Sequence, residues 1–247
     1  ADGALMLTVM AEPDPRDAFS LPYDARDYFS VLEGGIAGLC VAFSPDLGYA
    51  EVDPEVAKLV AAAAKSFAAL GAQVEQVDPG FDNPQAIFRS HWYAGAAHIL
   101  RAMTPEQREL VDPGLRIVAE KGQALSMDAY MKGAMARSQL VVTMRRFHQK
   151  YDLLLTPTMP TPAFSLGPDS PIGQNGEVWD DWSPFTYPFN LTGQPAATLP
   201  CGFTSGGLPV GLQIVGRNYD EVNVLRAAHA FETAHPEHRK TPSLAAS

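Results

Sequence analysis

A short apolar run, Leu39-Cys40-Val41-Ala42-Phe43, is followed by a helix-spaced apolar series and then by a second extended stretch, and this order constrains the fold more than any other feature. The first run suits a buried strand. Asp53 is placed to cap a helix, with Pro54 at its first position and Glu55 in the first turn, where the positive end of the helix dipole favours a carboxylate. Val56, Leu59, Val60, Ala63, Phe67 and Leu70 recur at three- and four-residue spacing, and Gly71 supplies the left-handed position that ends the helix. Ala72 to Val77 reads as the second strand. Strand, helix and strand make a βαβ unit, whose parallel strands should be joined by a right-handed crossover.

On either side of this unit the signals change. Residues 1–10 read as helix with no capping residue in front, as if the chain starts inside an element, and residues 11–36, rich in Pro, Asp and Arg, read as loop. Residues 84–149 are expected to be mostly helical, with Pro84, Pro105 and Pro113 at helix starts and Gly122 and Gly133 as weak points. Asp152-Leu153-Leu154-Leu155 is a further buried strand, stopped at Thr156-Pro157. Residues 157–195 hold eight prolines and aromatic-rich patches without periodicity, and a long loop of this kind is where a pocket wall is expected. Ala196 to Pro200 and Val210 to Val215 read as strands joined through Ser205-Gly206-Gly207, and a last helix runs from Asp220 to Ala234, with a frayed tail after Pro236.

Composition excludes several classes of partner. With 28 acidic and 18 basic residues in 247, the formal charge of −10 opposes phosphate backbones and anionic lipid, so neither nucleic acid nor a membrane is expected as a partner. No apolar run approaches the roughly 18 residues of a spanning helix, and the reading is a soluble, cytoplasmic chain. Cys40 and Cys201 stand far apart and read as buried thiols. His91 and His98 lack a third ligand, His148 beside Arg145, Arg146 and Lys150 reads as a solvated helix end, and His235 and His238 sit in the polar tail. Glu177, Asp180 and Asp181 read as solvated surface. No metal and no cofactor is expected.

The stretch from Phe185 through Thr186-Tyr187-Pro188-Phe189-Asn190-Leu191-Thr192-Gly193-Gln194-Pro195 to Leu212-Gln213-Ile214-Val215-Gly216 closely resembles the C-terminal block of the amidase-signature family. Tyr151-Asp152-Leu153-Leu154-Leu155-Thr156-Pro157-Thr158 resembles the strand before that family's substrate-side loop, and the opening Asp2 to Leu7 is similar to the segment after its catalytic core. The resemblance implies an α/β fold, the C-terminal part of an α/β/α sandwich with a mixed sheet, and residues 1–247 as the C-terminal portion of one amidase domain. It further implies hydrolysis of linear amides by a serine that is activated by a second serine and a neutral lysine. In the family those three residues precede the segment where this chain begins, so no catalytic residue is carried over. The N-terminal half is expected as a partner, the chain alone is expected to be inactive, and a homo-oligomer is compatible with this reading. Ser205-Gly206-Gly207 mimics the tail of the family signature but sits where a hairpin turn is expected.

Trp179, Trp182, Phe185, Tyr187 and Phe189 place five aromatics in eleven residues with no helical or strand period, which favours a small-molecule pocket wall. The residues expected to contact an amide substrate are Trp182, Phe185, Thr186, Phe189 and Thr156. Glutaminase subunits of tRNA-dependent amidotransferases resemble the same block but commonly carry an acidic residue where this chain has Ser183, so an apolar or aromatic acyl group is expected in preference to glutamine. The remaining alternative is a non-catalytic amidase-like binding or assembly module.

Overall fold

The computed structural model describes residues 1–22, 24–166 and 182–238. It opens on α1 (Asp2–Met10), preceded by Ala1 without a side-chain cap, and Ala4 packs with Tyr28 and Leu32 of the following segment. The βαβ unit then forms as its residues dictate. β1 (Cys40–Phe43) and β2 (Gln73–Gln76) pair in parallel from Cys40↔Gln73 to Phe43↔Gln76, with α2 (Pro54–Ala69) between them in sequence. The Asp53 carboxylate accepts from the Glu55 and Val56 amides at 2.8 and 3.3 Å. Beyond the last turn, Gly71 takes φ +95°, a conformation that costs a glycine nothing.

Four helices come next: α3 (Gln85–Arg101), α4 (Pro105–Glu109), α5 (Pro113–Gln123) and α6 (Met127–Phe147). Pro84 precedes α3, and Pro105 and Pro113 open α4 and α5, where a missing N–H costs no helical bond. Gly122 and Gly133 are not weak points. A Cβ on Gly122 would collide with the Tyr93 carbonyl, and one on Gly133 with the Ser90 hydroxyl, so both mark places where α3 lies against a neighbouring helix.

β3 (Leu153–Pro157) joins the free side of β1 in parallel and pairs antiparallel with β5 (Pro209–Gly216), which in turn pairs antiparallel with β4 (Ala196–Phe203). The result is a mixed sheet ordered β2-β1-β3-β5-β4. Strand alternation divides the core between its faces. Leu153, Leu155, Val41, Phe43, Leu212 and Ile214 share one face with Val56, Val60 and Phe67 of α2 and Val224 and Phe231 of α8 (Glu221–Ala234). Leu154, Ala42 and Val215 face the other way, toward Met144 of α6, Phe185, and Phe189 of α7 (Tyr187–Thr192). Helices cover both faces, as an α/β sandwich requires.

Several boundaries differ from expectation for visible reasons. β3 continues through Thr156 and Pro157 because Gln213 and Leu212 of β5 stand opposite them. β4 runs past Pro200 to Phe203 across an irregularity between Pro200 and Gly202, a placement that suits a proline on a strand paired on one side. Within the stretch 157–195, α7 is a short helix. Of the tail expected to fray after Pro236, the described residues Pro236–His238 form a 3-10 turn, and the His235 and His238 rings stack at 5.2 Å. His148 is buried rather than solvated, with its ring nitrogen Nδ1 2.9 Å from the Tyr151 carbonyl. Cys201 is buried as expected, while Cys40 is only partly so. Among the described residues no helix is long and apolar enough to cross a membrane.

Two measurements test this packing. Gly122→Ala should destabilise the chain by roughly 1–3 kcal/mol in chemical denaturation, because an added methyl must displace the α3 backbone. Gly95→Ala, where nothing lies within 4 Å, should be neutral or stabilising by up to about 1 kcal/mol; equal effects at both positions would contradict the close helix contact. Burial, opposed by the bond to the Tyr151 carbonyl, holds His148 below its ordinary value of 6.5. The unfolded chain therefore takes up a proton that the folded chain refuses, and stability should fall as pH drops below 6.5 toward the depressed folded value. Thermal midpoints across that range should show a shallower slope in His148→Asn.

Candidate functional site

The aromatic segment is placed by hydrogen bonds from the sheet beneath it. Gln213 is buried on β5, and its Nε2 donates to the Phe185 carbonyl at 2.8 Å and to Thr156 Oγ1 at 3.0 Å. Thr156, buried on β3, donates from the same hydroxyl to the Pro157 carbonyl at 2.8 Å. One amide thus ties β3, β5 and the start of the aromatic segment together. Tyr49 adds a bond from its hydroxyl to the Pro184 carbonyl at 2.8 Å. Burial, and then the neighbouring Tyr187, push the Tyr49 phenol far above its usual range, so it stays a neutral donor.

The rings themselves divide into two sets. Phe185 and Phe189 are 0% and 3% exposed and pack with Ala42, Leu47, Met144, Tyr151, Leu154 and Val215, which makes them core. Tyr187 is buried too, stacked on Phe88 with ring centroids 5.3 Å apart, and its hydroxyl donates to Asn83 Oδ1 at 2.6 Å. Trp182 is half-buried and meets Phe164 edge to face at 5.9 Å. Thr186, also half-buried, turns its hydroxyl to the Ser183 carbonyl at 3.2 Å. Trp179, Glu177, Asp180 and Asp181 lie outside the described residues.

The block after these rings closes the chain back onto the sheet. Thr192 Oγ1 donates to Gln194 Oε1 at 2.7 Å, Gln194 Nε2 donates to the Gly216 carbonyl at 3.0 Å, and Gly193 turns at φ +68°. Asn218 Nδ2 donates to the Thr192 and Gly193 carbonyls, each at 3.0 Å, and Arg137 Nε of α6 to the Leu191 carbonyl at 2.7 Å. These side chains satisfy the carbonyls that a short helix leaves open at its end. The Ser205-Gly206-Gly207 segment is a hairpin turn, with Gly207 at φ +80° and its amide bonded to the Thr204 carbonyl at 2.9 Å. Burial raises the Cys201 thiol to about 12, which leaves it protonated and a poor nucleophile at neutral pH.

A groove of about 320 Å³ lies where the chain leaves β3. Thr158, Met159, Pro162 and Phe164 form one side, with Trp182, Thr198, Val210 and Gly211 around them. Its lining is mainly apolar, but Thr158 Oγ1 and Thr198 Oγ1 stand 2.6 Å apart within it. Gly211 permits that approach, because a Cβ there would press on both hydroxyls. The groove therefore combines aromatic and aliphatic walls with a localised pair of hydroxyls, the composition of a small-molecule site. A larger cavity of about 540 Å³ lies among Phe88, Trp92, Ile99, Arg137 and Leu191; it is mostly apolar, and its guanidinium is engaged by the Leu191 carbonyl.

The sequence points to Thr156 and the rings but not to Gln213, Thr158 or Thr198, which carry the geometry. A polar glutamine in the otherwise apolar run Leu212-Gln213-Ile214-Val215 is the available signal.

Comparison with known proteins shows the family. The Amidase family pattern matches residues 1–225. An acylamidase of Rhodococcus erythropolis is 36% identical over 249 residues, covering 98% of this chain and 52% of the relative. A glutamyl-tRNA(Gln) amidotransferase subunit of Myxococcus xanthus is 33% identical over 273 residues, covering 99% of this chain and 55% of the relative. Among solved structures, a bacterial aryl acylamidase of the amidase-signature enzymes superposes with a TM-score of 0.81 at 29% identity, over 95% of this chain and 51% of that one. The chain spans about half the length of the relatives it matches.

If Gln213 holds the segment as described, Gln213→Leu should lower stability by roughly 1–3 kcal/mol for each buried acceptor left without its donor. Urea denaturation measures this. A midpoint equal to that of the unaltered chain would remove Gln213 from its anchoring role.

Proposed function

The chain belongs to the amidase-signature family, and from that premise we propose that it is the C-terminal portion of a single amidase domain, forming one wall of the acyl pocket in an enzyme that hydrolyses carboxylic amides through a serine acyl-enzyme. The observation that carries this reading is the groove at the carboxyl end of β3, where Trp182 and Phe164 face a hydroxyl pair. Ligands of open α/β sheets gather outside the carboxyl ends of strands, so the position agrees with the composition. The serine nucleophile and its lysine base come from the N-terminal half of the same protein, which is the partner this reading requires.

This chain's own contribution is binding and exclusion of water. Trp182 and Phe164 take up an apolar or aromatic acyl group, and the Thr158 and Thr198 hydroxyls offer polar contacts beside it. Phe185 and Phe189, buried behind the segment, keep the wall in place without touching substrate. Thr156 acts through Gln213 in the same way, and Thr186 holds the turn at Ser183. Binding energy from a non-reacting acyl group can then be used to orient the carbonyl toward a nucleophile.

A second reading is favoured by the identity to the amidotransferase relative: the glutaminase subunit of a tRNA-dependent amidotransferase. Ser183 stands against it, since a neutral hydroxyl supplies no charge to grip the amino group of glutamine. Steady-state assays with glutamine and with an aryl amide on the protein that includes the N-terminal half distinguish the two. Hydrolysis of the aryl amide at the higher kcat/KM is expected.

Residues 1–247 alone should show no hydrolysis of an aryl amide above a buffer control, and measurable turnover would overturn the division of labour. In the protein with both halves, Trp182→Ala should lower kcat/KM for an aromatic amide by about ten- to two-hundredfold more than for acetamide. Phe189→Ala should instead cost roughly 3–5 kcal/mol of stability and depress both substrates together. Equal losses on the two amides in Trp182→Ala would rule out its place in the pocket.

A further inference from the structure

The end of α8 gathers three metal-ligating side chains that the amide chemistry does not use. His235 Nδ1 lies 3.1 Å from Glu237 Oε1, and His238 Nε2 lies 3.8 Å from the same oxygen. One ligand atom from each of the three residues falls within 4.8 Å of the other two. The 3-10 turn Pro236–His238 produces this convergence by folding the chain back after the last helical residue, so that residues three apart present their rings to one side. Phe231, part of the apolar core, contacts both imidazoles, at 4.7 Å to His235 and 5.9 Å to His238. The two rings are only 8° from parallel. Phe231 thus supports both rings from beneath.

We propose that His235, Glu237 and His238 form a binding site for a divalent first-row transition metal, with Zn²⁺ as the ion its donor set fits. Two imidazole nitrogens and one carboxylate oxygen are the donor set of zinc and its neighbours, whereas calcium and magnesium ask for oxygen throughout. A tetrahedral zinc with bonds near 2.0–2.1 Å has ligand atoms about 3.4 Å apart, and the two distances to Glu237 Oε1 bracket that value. The ligand atoms lie within 4.8 Å of one another, and because an imidazole binds a metal in its own plane, at least one of the near-parallel rings must turn for both to reach one ion. Three protein ligands leave one coordination position for water. Bound there, the ion staples the Pro236–His238 turn to α8 and, through Phe231, to the core.

The test is a competition titration of Zn²⁺ against a chromophoric chelator, on the purified protein after chelator treatment, with thermal midpoints recorded at each step. One Zn²⁺ per chain at a Kd of about 10 μM or tighter is expected, with a rise in midpoint and no displacement by millimolar-range Ca²⁺. His238→Gln and His235→Gln should each weaken binding at least about tenfold and abolish the rise. Because His235→Gln also removes a ring stacked on Phe231, Glu237→Gln provides the check that keeps both rings. It should weaken Zn²⁺ severalfold while leaving the metal-free midpoint unchanged. Absence of Zn²⁺ binding at that level, or equal binding by all three variants, overturns the proposal; the second result would assign the metal to other histidines or the cysteines.

Discussion

Asp152 fixes where β3 enters the sheet, and the remaining geometry follows from that entry. Its Oδ2 accepts from the Cys40 amide at 2.8 Å, its own amide donates to the Cys40 carbonyl at 2.7 Å, and its Oδ1 accepts from Arg217 at 2.6 Å. One residue therefore joins the start of β1, the start of β3 and the exit of β5. Register in a sheet is all or nothing for side-chain direction: a shift by one residue would send Leu154 and Thr156 to the α2 face and Leu153 and Leu155 to the other. Gln213 would then have no Thr156 hydroxyl to meet, and the segment carrying Phe185 would lose its anchor.

How much of this can be read from the chain depends on the distance over which each signal acts. The βαβ unit is legible because Asp53, Pro54 and Gly71 act on their own neighbours. α7 is not, since six residues are too few for a period and Pro188 masks the helical turn. The five aromatics read as one surface in the sequence, yet Phe185 and Phe189 are core and Trp182 lies at the groove. What separates them is Gln213, far along the chain, whose effect appears only once β3 and β5 pair. His148 misleads for a similar reason. Its basic neighbours Arg145, Arg146 and Lys150 suggest solvent, but its own position on the helix turns it toward the Tyr151 carbonyl. The groove hydroxyls, Thr158 and Thr198, come from two segments forty residues apart that only the sheet brings together.

The run Asn190 to Gln194 lies within the block that resembles the family, and its described bonds are structural: Thr192, Gly193 and Gln194 close a short helix onto the end of β5. Gln194 in turn satisfies the buried Gly216 carbonyl.

The glycines at the helix crossings have a mechanical consequence. Where α3 meets α5 at Gly122 and α6 at Gly133, backbone or a short side chain lies directly against backbone, with no flexible layer between to absorb displacement. α6 in turn holds α7 through Arg137 and the Leu191 carbonyl. Three of the helices, α3, α5 and α6, are therefore joined to one another and to α7 by direct contacts, so a displacement of α3 cannot be taken up at these crossings alone.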